Sequence, residues 1–145
     1  MDNKISIGNA GEYFVAGELE RRGFTVALPM SNVKDFDILG INRTTQKQCA
    51  IQVKTTKNSK KEWMLNRKSE ELVSDKIFYV FVNIESEKVP EYHIVPSSIV
   101  ADRISESHKK WLETPGKNGQ QHNDVDIRTF TDETDEFLDN WSCLE

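Results

Sequence analysis

Four residues of this chain, Glu12, Asp37, Gln52 and Lys54, are of types that do chemistry and stand at spacings that can bring them together. Three of them lie in residues 35–54, which read Asp-Phe-Asp-Ile-Leu-Gly, a polar interruption over 42–48, then Cys-Ala-Ile-Gln-Val-Lys. Two apolar runs around a polar break predict a strand, a turn and a returning strand. Side chains alternate along a strand, so Asp35 and Asp37 share one face of the first strand, and Ala50, Gln52 and Lys54 share one face of the second. A turn centred between Thr44 and Thr45 sets Asp37 opposite Gln52 in antiparallel pairing. An acid, an amide and an ammonium then meet on one patch of sheet, oxygen donors beside a positive charge. That is a costly arrangement for strands that ought to pack, and it points to chemistry.

The fourth residue sits earlier. Residues 6–22 predict a helix stopped by Gly23 after two arginines. At helical spacing Glu12 shares a face with Val15, Ala16 and Leu19, so an acid points toward packed structure. Two readings stand at this level. If the helix starts late, Asn9 is its N-cap and Glu12 the third-position acid of a capping box, which is purely structural. If it starts at about residue 6, Glu12 is a functional acid pointing toward packed structure.

The remaining elements supply the frame. Residues 24–28 form a short β-like run and 29–34 a loop. Residues 62–65 predict a short strand, and 67–73 a short helix with Asn66 as its cap. Trp63 is read as a packing residue. Residues 77–84, Ile-Phe-Tyr-Val-Phe-Val-Asn-Ile, are apolar almost without interruption, the mark of a strand buried on both faces at the centre of a sheet. A strand over 92–95 follows, in which His93 has no evident partner, then a helix over 97–113 with Ile99, Val100, Ile104 and Trp111 as core candidates. An exposed loop covers 114–123, and an extended piece 125–130. Phe137, Trp141 and Leu144 stand at i, i+4 and i+7, which predicts a final helix over about 132–144 docked by that stripe. All of this fits one domain over 1–145, with a core at about 6–113 and the acidic docking helix at about 131–145.

Composition narrows the function classes. The chain has 145 residues, 37% hydrophobic and 30% charged, enough to bury a core without disulfide or metal staples. No apolar run approaches the roughly 20 residues that span a bilayer, and the first residues lack the basic start and apolar centre of a secretory signal. A cytoplasmic protein with no membrane partner is expected. Cys49 and Cys143 are far apart with no histidine nearby, which reads as reduced thiols and disfavours a zinc site. No phosphate-cradling glycine loop and no serine-hydrolase elbow is present.

Net charge is −5, yet it is unevenly spread. Residues 124–145 hold eight acids against Arg128 alone, while residues 54–68 hold Lys54, Lys57, Lys60, Lys61, Arg67 and Lys68 against Glu62 alone. A charge run of this kind is ordinarily a solvated loop. Beginning at the end of the polar hairpin, it is also placed to meet phosphates, which makes Lys57, Lys60, Lys61, Arg67 and Lys68 the candidate nucleic-acid contacts.

The order of these features, a helix with an internal acid, a hairpin acid, Gln-x-Lys on the next strand and then a buried strand, resembles the PD-(D/E)xK nuclease superfamily. This restriction-endonuclease-like group includes archaeal Holliday junction resolvases and Mrr-type enzymes, and the resemblance covers about residues 6–95. It implies an α/β fold with a central mixed sheet flanked by helices. It implies a Mg²⁺- or Mn²⁺-dependent endonuclease hydrolysing phosphodiester bonds, in DNA ahead of RNA. By position, Asp37 is the main metal ligand, Val53 offers its backbone carbonyl, Gln52 takes the second ligand position, and Lys54 orients or activates the attacking water. Glu12 matches the helix acid that several such families set beside the metal. Hard oxygen ligands suit Mg²⁺, and a lysine on the same strand face adds charge within reach of a phosphate.

Two departures matter. No proline precedes the acid, since the chain has Asp35-Phe36-Asp37. The second acid is replaced by Gln52, as in the Mrr-like branch, which removes one negative charge from the metal site and gives Glu12 more to do. The alternatives are a catalytically weak or inactive module of the same fold that binds nucleic acid or a protein, and an interaction protein working through its acidic C-terminal helix. With little room for a separate recognition domain, a homodimer or partner subunit is implied.

Overall fold

The computed structural model describes residues 3–30 and 35–145. The last four residues of the loop expected over 29–34 therefore lie outside the described residues. Helix α1 spans Lys4–Arg21. Asn3 caps it, its side chain accepting the Ser6 N–H at 2.8 Å, and Gly23 ends it with φ +95°, a conformation open to glycine. Because Asn3 takes the cap, Asn9 is an interior residue and Glu12 lies mid-helix. The capping-box reading of Glu12 is thereby overturned.

Strands β1 (Phe24–Ala27), β2 (Ile38–Asn42) and β3 (Gln48–Thr56) form an antiparallel meander. The β2–β3 register pairs Ile38 with Ile51 and Leu39 with Ala50, so the turn is centred between Thr44 and Thr45. The Asn42 side chain holds it by accepting the N–H groups of Thr44 and Thr45. Strand β4 (Glu62–Asn66) leads into a 3₁₀ turn, Arg67–Glu70, shorter than the helix expected over 67–73 and capped by Asn66 as the sequence predicts. Strand β5 (Ile77–Asn83) runs parallel to β3, and β6 (Glu91–Pro96) antiparallel to β5. The five-stranded mixed sheet has the order β1-β2-β3-β5-β6, and β4 pairs in a separate ribbon with β7 (Ile127–Thr131).

A layer of side chains covers each face of the sheet. On one, Val15 and Leu19 of α1 pack with Ile38, Ile51, Val53, Val80, Val82 and Ile94. On the other, helix α2 (Ser97–Glu113) and the β4–β7 ribbon bring Val100, Ile104, Trp63, Leu65 and Phe130 against Tyr79, Phe81 and Val95. Strand β5 contributes alternate residues to both layers, which is why its sequence is apolar on both faces. Trp63 is buried, as expected of a packing residue, and its indole N–H donates to the Val82 carbonyl. No described helix is long and apolar enough to cross a membrane.

Three expectations fail. Residues 132–144 are not one helix; only Trp141–Leu144 form a 3₁₀ turn. Phe137 belongs to the α2 layer while Trp141 and Leu144 belong to the α1 layer, and one helical stripe cannot serve opposite faces of a sheet. The segment instead turns at Asp135 and Asp139, both with positive φ, and passes along the outer edge of β6. There Ile94 N–H donates to the Phe137 carbonyl and Asp139 N–H to the Tyr92 carbonyl. His93 is not partnerless, since its Nδ1 lies 2.6 Å from Asp132 Oδ2 in the interior. Trp111 is not core: it is 39% exposed and stacks on His122 and His108.

Candidate functional site

The site forms where β2 leaves β3. Pairing ends at Ile38–Ile51, and the next residue, Asp37, donates its N–H to the Ile51 carbonyl at 2.8 Å while its carboxylate Oδ2 accepts the Val53 N–H at 2.8 Å. These two bonds bracket Gln52 and hold Asp37 opposite it. The carboxylate replaces the strand that no longer covers β3. In a strand the N–H and C=O of one residue point to the same edge, so the Val53 carbonyl is directed into the gap that Asp37 occupies.

Alternation along β3 does the rest. Cys49, Ile51 and Val53 are buried under α1, whereas Ala50, Gln52 and Lys54 are half-buried on the other face. Gln52 and Lys54 line a cavity of about 430 Å³ together with Asp35, Lys68, Ser69 and Tyr79. Parallel pairing places Tyr79 beside Gln52 and Phe81 beside Lys54.

Glu12 arrives because α1 lies unusually close to β3. A Cβ at Gly11 would sit 1.8 Å from the Thr55 hydroxyl oxygen, so only glycine permits this approach. Burial pushes the Glu12 carboxyl above the usual carboxylate range, and the neighbouring charge of Asp37 pushes it further. A carboxylate held beside a second acid is relieved by a cation between them. Among the described residues no group of three His, Cys, Asp or Glu side chains is placed to hold a metal. What the pair can add is the Gln52 amide oxygen and the Val53 carbonyl, and this all-oxygen donor set fits Mg²⁺ or Mn²⁺.

The structure thus gathers Asp37, Val53 and Glu12 at the gap, and Gln52 and Lys54 at the cavity, which neither Asp37 nor Glu12 lines. It does not gather the basic segment into one face. Lys61 is paired with Asp135, and Arg67 with Asp124 at 3.4 Å and Asp126 at 3.7 Å. Lys57 lines a different cavity, beside Phe14 and Ile84, and Lys60 is exposed on the turn after Asn58. Of the five, Lys68 alone shares the cavity of Lys54. Sequence reasoning missed Gly11, Thr55, Ser69 and Tyr79. The two glycines of Gly-Asn-Ala-Gly-Glu inside a helix are a usable signal for close packing; Ser69 and Tyr79 enter only through the pairing of β3 with β5.

No family model matches the sequence, and no curated protein matches it either. Solved structures do match the fold. A bacterial homing endonuclease, I-Ssp6803I, aligns over 98% of this chain and 91% of its own, with a TM-score of 0.58 and 12% identity. The fold is restriction-endonuclease-like. Hjc, a Holliday junction resolvase from the archaeal hyperthermophile Archaeoglobus fulgidus, aligns over 90% of this chain and 88% of its own, with a TM-score of 0.52 and 13% identity. At these identities the likeness speaks for the restriction-endonuclease-like architecture alone, and activity must be argued from the side chains.

Proposed function

We propose that the chain is a metal-dependent nuclease of the PD-(D/E)xK type, in its Mrr-like Gln-x-Lys form, hydrolysing phosphodiester bonds in DNA ahead of RNA. The observation that carries this reading is the Asp37 carboxylate fixed on the Val53 N–H at 2.8 Å, opposite Gln52 and next to Glu12. Two solved structures of the same fold, an endonuclease and a junction resolvase, support it.

Mg²⁺ or Mn²⁺ would be held by Asp37, Gln52 and the Val53 carbonyl with Glu12 alongside, and would supply polarisation of the phosphoryl oxygen and a more acidic bound water. The chain's own part is positioning and charge. The Val53 N–H fixes the rotamer of Asp37. Lys54 sets a positive charge on the cavity wall, where it orients the attacking water and offsets charge growing on the phosphate. Glu12 supplies the second carboxylate that Gln52 does not. A homodimer or a partner subunit then provides recognition of the substrate.

Purified protein with Mn²⁺ is expected to nick plasmid DNA, and Lys54→Ala or Asp37→Ala to abolish nicking while leaving the circular dichroism spectrum unchanged. Nicking that survives both substitutions sinks the assignment. One observation favours a second reading, a non-catalytic nucleic-acid-binding module: among the described residues only two carboxylates meet at the gap, and Gln52 carries no charge. Calorimetry separates the two. Absent Mn²⁺ binding with salt-sensitive DNA affinity intact selects the module.

A further inference from the structure

Strand β5 carries two buried side-chain polar atoms left poorly satisfied among the described residues, the Tyr79 hydroxyl and Asn83 Oδ1, and of these two residues only Tyr79 lines the cavity of Lys54. In Ile-Phe-Tyr-Val-Phe-Val the tyrosine ring is fully buried, stacked on Phe81 with centroids 5.5 Å apart, and a phenylalanine would fill the same space. Among the described residues no hydrogen bond of good geometry reaches its buried hydroxyl, the Ser69 hydroxyl being the side-chain partner near it, and a buried phenol so poorly satisfied costs stability. The same residue lines the cavity of Lys54 and Gln52, across from the 3₁₀ turn that presents Lys68 and Ser69. Burial is the main cause of its raised pKa, hydrogen bonding with the Ser69 side chain works against that, and the charge of Asp35 adds to it. The phenol therefore keeps its proton and is a donor.

We propose that Tyr79 is a phosphate-contacting residue of this site, its hydroxyl donating to a non-bridging oxygen of the DNA strand held between Lys54 and Lys68. The inference rests on the nuclease reading and adds a residue to it. Asp35 and Glu71 also line the cavity, so two acids stand against two lysines and net charge contributes little there. A neutral donor at the cavity wall selects a phosphate by hydrogen bonding where charge alone does not. It also acts without releasing a counterion, which gives it a signature distinct from that of a lysine.

The test is the affinity of the full chain for a fluorescein-labelled 20-base-pair DNA duplex, read by anisotropy over a range of salt without divalent metal. Tyr79→Phe is expected to weaken binding about tenfold with the salt slope unchanged and the melting temperature unchanged or raised, since a poorly satisfied buried hydroxyl has gone. Lys68→Ala is expected to weaken binding and flatten the slope by about one. Unchanged affinity in Tyr79→Phe overturns the inference. So does a loss of affinity accompanied by a fall in melting temperature, which marks a hydroxyl that holds the fold. If the unaltered protein does not bind the duplex, the nuclease reading and this inference both fall. If Tyr79→Phe binds and cleaves as well as the unaltered protein does, only the inference falls.

Discussion

Among the described residues two aspartate side chains accept backbone N–H groups, and they differ in how much of their hydrogen-bonding capacity is used. Asp132 is buried, accepts the N–H groups of Glu136 and Phe137 at 2.9 Å each, and meets His93 at 2.6 Å. Asp37 is half-buried, accepts the single N–H of Val53, and faces a second acid in Glu12. A carboxylate whose lone pairs are filled by its own chain is a structural bolt. One that is held at a single point beside a like charge is open to a ligand. The same side chain is thus fixed in one role or left available for another by the number of donors the fold aims at it.

The sharpest way to break the comparison is to remove each carboxylate. Asp132→Ala leaves one buried and one part-buried N–H group and a buried imidazole unsatisfied and is expected to cost more than about 3 kcal/mol of stability; Asp37→Ala loses one half-exposed hydrogen bond and is expected to cost about 1 kcal/mol or less. Urea denaturation of both variants checks this, and equal losses would erase the distinction. The next effect concerns how Glu12 is delivered. Gly11→Ala forces the new Cβ into Thr55 and is expected to cost about 1–3 kcal/mol, lowering DNA cleavage as well because α1 must move with its acid. Adding Thr55→Ala should restore most of both losses, which denaturation and nicking assays read together.

The smallest effect is a pH dependence. Glu12 has its pKa raised in the folded state, so it contributes stability while protonated, below its unfolded value of 4.5, and that contribution is lost as pH rises through the folded value. Without metal, Glu12→Gln should therefore melt slightly higher than the unaltered protein at neutral pH and no higher at pH 4. Mn²⁺ should raise the melting temperature of the unaltered protein more than that of the variant. Thermal melts at the two pH values, with and without the ion, decide both points.

How far these contrasts could be read from sequence depends on whether the signal is local. The hairpin could: Asn42 and the two threonines mark the turn, and alternation then fixes Asp37 opposite Gln52. Strand β5 could, because burial on both faces removes polar residues from the strand itself. Glu12 was ambiguous because Asn9 could cap a helix that starts late, and only the structure, with Asn3 as the cap and Gly11 packed on Thr55, shows where the helix runs. The tail misled for a physical reason. Its apolar residues stand at helical spacing, yet Asp132 draws the chain into a turn and delivers Phe137 and Trp141 to opposite faces. The basic segment misled in the same way, since the acids that neutralise Lys61 and Arg67 lie about 60–75 residues later in the chain and no local pattern pairs them.

The course of that tail along β6 bears on how the protein behaves in a crowded solution. The last strand of an open sheet offers a row of unmet amides and carbonyls, a template on which a foreign strand can grow. Here Phe137 and Asp139 occupy main-chain positions on that row and the Asn140 amide caps the Ile94 carbonyl. A further strand in the same place would only hand the exposed row on to its own far side. An irregular segment pinned by Asp132 ends the sheet without offering a new template, and so guards this edge against aggregation.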